Sequence, residues 1–154
     1  MSLSHRVGQR ILSWLEGPVA GAEAEALVQE ISIAGIILRE NNIESSAQLR
    51  TLTADLQKLA ADNDPRVRLL IAIDQEGGRV ARLRLREATR LPPPAVWAAV
   101  CDAQYVEALS YIIGRELLYH GANLNFAPVL DLGSGPPNSI VGDRAFSSDP
   151  EMVA

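Results

Sequence analysis

The chain has 154 residues, 47% of them hydrophobic and 21% charged, which excludes a disordered segment and gives one globular domain enough apolar side chain for a core. A net charge of -5 argues against nucleic acid as a partner, although the segment from Arg79 to Arg90 gathers five arginines beside a single acid, Glu87. One cysteine, Cys101, excludes an internal disulfide and a cysteine-based metal site, and it reads as a small buried apolar side chain.

The opening stretch MSLSHRVGQRILSWLEG holds an apolar core, Ile11 to Leu15, that is too short for a signal peptide and is broken by Ser13. Nothing approaches membrane-spanning length, and a cytoplasmic protein is expected, with no membrane partner. Ala22 to Ile31 follows as a helix, with Ala24, Leu27, Val28 and Ile31 on one face. Gly35 begins a short apolar run, GIIL, with the length and β-branched content of a buried strand. Ser45 with Gln48 forms a capping box that opens a second helix, where Leu49, Leu52, Leu56 and Leu59 keep helical spacing and Asp64-Pro65 closes it.

LLIAI, from Leu69 to Ile73, is the next apolar strand. Beyond the glycine-rich segment and the Pro92-Pro93-Pro94 break, a third helix is predicted from about Asp102 to His120, stopped by Gly121 in a left-handed C-cap. A third strand, Leu124 to Ala127, ends at Pro128, and Asp149-Pro150-Glu151 reads as N-cap, first-turn proline and first-turn acid of a further helix. Apolar strands alternating with helices predict an α/β fold with parallel strands covered by outer helices. Pattern alone allows an open doubly wound sheet or a (β/α) barrel, and no dinucleotide fingerprint or other cofactor motif follows any strand. A closed eight-stranded barrel takes roughly 250 residues, so the signals here amount to about half of one.

In parallel α/β folds ligands gather at the C-terminal ends of strands. Three polar segments occupy such places: Arg39 to Asn42 after GIIL, Asp74-Gln75-Glu76 after LLIAI, and Asp131 to Arg144 after NFAPV. Asp74 and Glu76 are two apart, so extended backbone would turn both carboxylates to one side. They read either as an acid and base pair, or as one ligand-positioning group and one structural partner of Arg79 or Arg82. Gly77-Gly78 indicates a bend that side chains would obstruct, or a close ligand approach.

Arg79 and Arg82 lie nearest these acids, whereas Arg84, Arg86 and Arg90 read as solvated loop charges. Arginine's parallel donors suit recognition of hydroxyls or carboxylates rather than proton transfer. Arg144 is a further candidate, or else the ion-pair partner of Asp143 or Asp131. His5 and His120 lack metal-ligand companions and read as structural, with His120 favoured by the dipole at a helix end. Ser45-Ser46 and Ser147-Ser148 read as capping residues.

Four stretches in order, VGQRILSWLEG, IAGIILRENNI, IAIDQEGGRVARLR with TRLPPP, and GANLNFAPVLDLG with VGDRAFSSDPE, resemble the N-terminal half of glycoside hydrolase family three. The resemblance covers nearly the whole chain and is nearest to the bacterial β-N-acetylglucosaminidases of cell-wall recycling. It implies the first half of a (β/α)8 TIM barrel and a retaining hydrolysis of terminal β-linked N-acetylglucosamine, through a covalent glycosyl-enzyme on an aspartate. The implied partner is an N-acetylglucosamine-containing carbohydrate. Asp74 is then the acid that holds sugar hydroxyls, with Arg82 and Arg144 as substrate-binding arginines. Glu76, Gly77, Gly78, Arg79 and Asp131 support them.

The residues 1–154 depart from the family's pattern in lacking its nucleophile, its KHFPGHG-type segment and its histidine–aspartate acid/base loop. These are expected beyond Ala154, in a C-terminal half of the barrel that catalysis requires. In IAGIILRENNI, Arg39 and Asn41 replace the aromatic and the arginine that often follow the strand in the family. Two readings follow: the N-terminal portion of a glycosidase that holds substrate but contributes no catalytic residue, or an inactive half-barrel that binds sugar or pairs with another half.

Overall fold

The computed structural model describes residues 2–64, 66–100, 102–133, 135–136 and 139–154. The chain runs α1 (Leu3–Gly8), β1 (Leu12–Ser13), α2 (Ala22–Glu25), β2 (Gly35–Leu38), α3 (Ser46–Asn63), β3 (Leu70–Ile73), β4 (Gln75–Gly77), β5 (Val80–Ala81), α4 (Pro94–Val100), α5 (Ala103–Tyr119), β6 (Leu124–Asn125) and α6 (Pro150–Val153). Cys101 and Pro65, assigned above to a buried position and to the end of the second helix, lie outside the described residues. Two compact units form, Met1–Ile73 with Leu117–Asn125, and Asp74–Glu116 with Phe126–Ala154. No helix among the described residues is long and apolar enough to cross a membrane.

The first unit is built on a parallel sheet of order β1-β2-β3-β6. Leu12 pairs with Gly35, Ile36 with Ile71, and Ile73 with Asn125. Within this sheet each strand therefore adds beside the sheet strand before it, while β4 and β5 form a separate two-stranded sheet. A doubly wound sheet reverses direction at a switch point, so the sequential order takes the barrel side of the alternative that pattern leaves open. Ile36, Leu38, Ile71 and Ile73 are buried, as are Leu49, Leu52, Leu56 and Ala60 of α3. The two predicted apolar runs are thus core strands, and α3 buries one face at the predicted spacing, with Ala60 inside in place of the half-buried Leu59.

Several predicted details change. The strand β1 was hidden in ILSWL, because only two of its residues enter the ladder. Past α2 the helix widens into a π-turn over Ala26–Glu30, in which Ile31 N–H donates to the Ala26 carbonyl. The wider turn advances each residue less around the axis than an α-turn does, so Ala24 and Val28 stay buried while Ile31 swings out to 46% exposure. Ser45 Oγ accepts from Gln48 N–H as foreseen, but the Gln48 side-chain oxygen Oε1 accepts from Glu44 N–H instead of from the cap residue. The third strand pairs only at Leu124–Asn125 before the chain leaves the sheet.

Amide side chains finish what the ladder leaves open. Leu69 O accepts from both Gln57 Nε2 (2.9 Å) and Asn123 Nδ2 (3.0 Å), while Asn123 Oδ1 accepts from Ile71 N–H. Asn42, fully buried, donates to Leu15 O and Gly17 O and accepts from Arg39 N–H. Of the segment Arg39 to Asn42, singled out above as a ligand place, Asn42 is therefore a structural tie between the chain after β1 and the chain after β2. Buried polar groups without such partners would each cost on the order of 1–3 kcal/mol.

His120 follows α5 and is 4% exposed. Its Nε2 shares a 3.0 Å hydrogen bond with Ser46 Oγ, so a buried hydrogen bond, rather than the helix dipole, accounts for its place. Gly121 takes the left-handed C-cap conformation as predicted, with φ +85°. A Cβ there would stand 2.2 Å from Thr53 Oγ1, which itself donates to His120 O. Gly121→Ala is expected to lower stability by about 2 kcal/mol or more in urea denaturation. Gly114→Ala, where a Cβ meets nothing within 4 Å, is expected to raise stability by up to about 1 kcal/mol.

Candidate functional site

The site belongs to the second unit and starts at the residue that follows β3. Asp74 leads into β4, which turns at Gly78 and Arg79 and pairs antiparallel with β5. Gly77 and Gly78 both have positive φ, +111° and +57°. A Cβ on Gly77 would stand 2.4 Å from Pro92 O, and one on Gly78 2.7 Å from the Pro93 ring. The predicted bend is present, and what side chains would obstruct is the close approach of the hairpin to Leu91–Pro93, where Gly78 N–H donates to Leu91 O. Gln75 Oε1 accepts from the backbone N–H groups of Arg82 and Leu83, which holds the chain leaving β5.

Asp74 and Glu76 do not form a matched pair. Asp74 is 30% exposed and lies 3.6 Å from Arg82 Nε, close enough for charge attraction and too far for a tight hydrogen bond. Glu76 is 2% exposed and takes two hydrogen bonds from Arg144, Nε to Oε2 at 2.8 Å and Nη2 to Oε1 at 2.7 Å. This two-pronged bond raises the Arg144 pKa above the usual arginine value against the opposing effect of burial, with the charges of Glu76, Asp74 and Asp131 adding to it. The two carboxylates therefore sit in unlike surroundings, Glu76 enclosed by Arg144 and Asp74 partly open.

The alternative that one acid of the pair faces Arg82 holds for Asp74. The alternative pairing of Arg144 with Asp143 or Asp131 does not: Arg144 and Glu76 hold each other. Asp131 is exposed and acts on Arg144 through its charge. Arg79 pairs with Asp143 at 2.9 Å and also donates to the carbonyls of Ser139, Ile140 and Val141. Arg84, Arg86 and Arg90 are exposed, in keeping with loop charges, and Arg84 caps the carbonyls of Ala81 and Arg79. Asp149, not Ser147 or Ser148, caps α6, and Ser147 Oγ accepts from Asp149 N–H.

Two supports of the site went unread in the sequence. Trp97 Nε1 donates to Pro92 O at 2.7 Å, and its ring meets Phe146 edge-on, with centroids 6.2 Å apart. These contacts fix the proline segment under the glycines and the residues that follow Arg144. Proline-rich spacing before a tryptophan was the available signal. Among the described residues no group of three metal-ligating side chains comes together.

The first unit is a parallel α/β sheet with helices, and the second carries a cluster of charged side chains that begins at the residue following β3. The family whose description reads glycosyl hydrolase family 3 N terminal domain matches residues 3–154, and the chain belongs to it. It is 42% identical over 149 residues to a β-hexosaminidase of Alkalilimnicola ehrlichii, covering 93% of this chain and 41% of that protein. A glycoside hydrolase family 3 β-N-acetylglucosaminidase from Paenibacillus superposes with a TM-score of 0.92 at 38% identity, over 99% of this chain and 29% of that one. NagZ from Neisseria gonorrhoeae, in complex with N-trifluoroacetyl-D-glucosamine, gives a TM-score of 0.77 at 35% identity, over 93% and 43%. The chain thus spans less than half the length of these relatives.

Breaking the Glu76–Arg144 pair from either side has different costs. Arg144→Ala strands a carboxylate that is 2% exposed and is expected to cost about 3 kcal/mol in urea denaturation, the low end for a buried pair because Arg144 is itself partly exposed. Glu76→Gln removes the charge but keeps the shape, and is expected to cost less than Arg144→Ala in the same measurement.

Proposed function

We propose that this chain forms the sugar-holding part of a β-N-acetylhexosaminidase that releases terminal β-linked N-acetylglucosamine with retention, in amino-sugar oligosaccharides of the cell wall. The observation that carries this reading is the contrast between the two acids. Asp74, 30% exposed and steadied by Arg82 at 3.6 Å, keeps carboxylate lone pairs for a ligand. Glu76, 2% exposed, spends its own on Arg144. A sugar presents hydroxyl donors, and a partly exposed aspartate can accept them. Arg144, 26% exposed and turned by Glu76, adds a donor with a fixed direction.

In this reading Asp74, Arg82 and Arg144 bind, while Glu76, Gly77, Gly78, Arg79 and Asp131 hold them in place. Residues 1–154 contribute no nucleophile and no acid/base, and the reaction needs the C-terminal half of the barrel. The likeness to β-hexosaminidases, and to NagZ with a glucosamine derivative bound, supports the substrate class. A cytoplasmic role in peptidoglycan recycling accords with that likeness.

The test uses a chromogenic N-acetyl-β-glucosaminide. The 154-residue chain alone is expected to give no turnover, and a protein extended to the relatives' length to be active. In the extended protein Asp74→Ala is expected to lower kcat/KM about 100-fold, the value of one or two hydrogen bonds to a charged acceptor. Unchanged kinetics would remove Asp74 from the sugar site, and turnover by the short chain would overturn the assignment of catalysis to other residues.

A further inference from the structure

We infer that Arg79 is a positioning residue that latches the loop Ser139–Arg144 onto the β4–β5 turn and thereby sets the place of the Arg144 guanidinium. The inference deepens the sugar-site reading and rests on it for its functional consequence. Its geometry stands by itself. Arg79 sits at the turn just after Gly78, and its own carbonyl is held by Arg84 Nη2 at 2.9 Å. From there its side chain spans the hairpin to the loop. Nε donates to Asp143 Oδ1 at 2.9 Å, and Nη2 donates to Ser139 O, Ile140 O and Val141 O at 2.6, 3.0 and 3.1 Å.

Three successive carbonyls can converge on one nitrogen only if the backbone curls around it. That curl leads directly into the turn Gly142–Arg144, where Gly142 has φ +47° and Arg144 N–H donates to Val141 O. The two arginines also share an acceptor, because Ile140 O takes Arg79 Nη2 at 3.0 Å and Arg144 Nη1 at 3.2 Å. Arg144 is thus located twice, by Glu76 at its outer edge and by the loop that Arg79 gathers beneath it.

The energetics point to positioning rather than to stability. Arg79 and Asp143 are 43% and 32% exposed, so their ion pair is of the kind that contributes about 1 kcal/mol or less. What a substitution removes is a planar fork with several donors in fixed directions. Lysine, with one ammonium on a flexible stem, cannot reach the aspartate and curl three carbonyls together.

The experiment compares Arg79→Ala and Arg79→Lys with the exposed control Arg86→Ala in the 154-residue chain. The first readout is the NMR signal of Arg144 Nε–H, which is bonded to Glu76, together with hydrogen exchange of the amides of residues 141–145. Both Arg79 variants are expected to shift and broaden that signal and to speed local exchange about tenfold, with β2 and β3 unchanged and Arg86→Ala like the wild type. An unaltered Arg144 signal, or full rescue by lysine, overturns the latch. The second readout is affinity for N-acetylglucosamine by titration, in the protein extended to the relatives' length. Arg79→Ala is expected to weaken it about fivefold, and to weaken it no further in an Arg144→Ala background, since a residue acting through Arg144 has nothing left to act on. Additive losses overturn the inference. An extended wild-type protein that fails to bind the sugar defeats the sugar-site reading, while the Arg144 signal of the 154-residue chain still decides the latch.

Discussion

Glu76 has only 2% of its side chain in contact with solvent, so the water that normally solvates a carboxylate is gone and two N–H groups of Arg144 stand in for it. Removing a charge from water costs several kcal/mol, and mutual attraction offsets that only when the geometry is good and the remaining lone pairs are occupied. Here both carboxylate oxygens are occupied, at 2.7 and 2.8 Å. The hairpin that carries Glu76 and the loop that carries Arg144 must therefore come together in one arrangement. Arg79 and Asp143 tie the same two segments together beside that pair.

The backbone meets the requirement by means of small residues and rigid ones. Two glycines with positive φ let the β4–β5 turn lie against Pro92 and Pro93, where any Cβ would collide. The prolines are fixed in their turn by the indole of Trp97. Gln75, next to Asp74 and Glu76, spends its side-chain oxygen on two backbone N–H groups beyond β5. A loop tied by so many directional bonds loses little entropy on meeting a ligand, which is the usual benefit of preorganisation.

Within this frame, two carboxylates separated by a single residue take up different work. Burial and a bidentate partner make Glu76 a fixture of the fold. Partial exposure and a looser 3.6 Å contact leave Asp74 as a surface that a hydroxyl-bearing ligand can meet. The difference comes from surroundings and not from residue type, as is common where acids of similar intrinsic strength share a site.

Much of this was legible from residue order. Apolar runs GIIL and LLIAI, the leucine spacing of α3, the glycine stop after α5 and the Asp149-Pro150 helix start are local signals, because strand burial, helix faces and caps depend on neighbours a few positions away. The family motifs likewise placed Asp74, Gly77-Gly78 and Arg144 in one region. The partners of Glu76 and of Arg79 were not legible. Glu76 finds Arg144 across 68 positions and Arg79 finds Asp143 across 64, and an ion pair leaves no periodic trace over such a span. The two-residue strand β1 was equally silent, since it is a strand only because Gly35 and Ile36 lie beside it. The sequence by itself determined the parallel α/β plan, the hinge glycines and the charged residues that follow β3. Only the tertiary structure decided which acid is buried, which arginine holds it and which acid stays open, because those choices depend on how far water is excluded once distant segments meet.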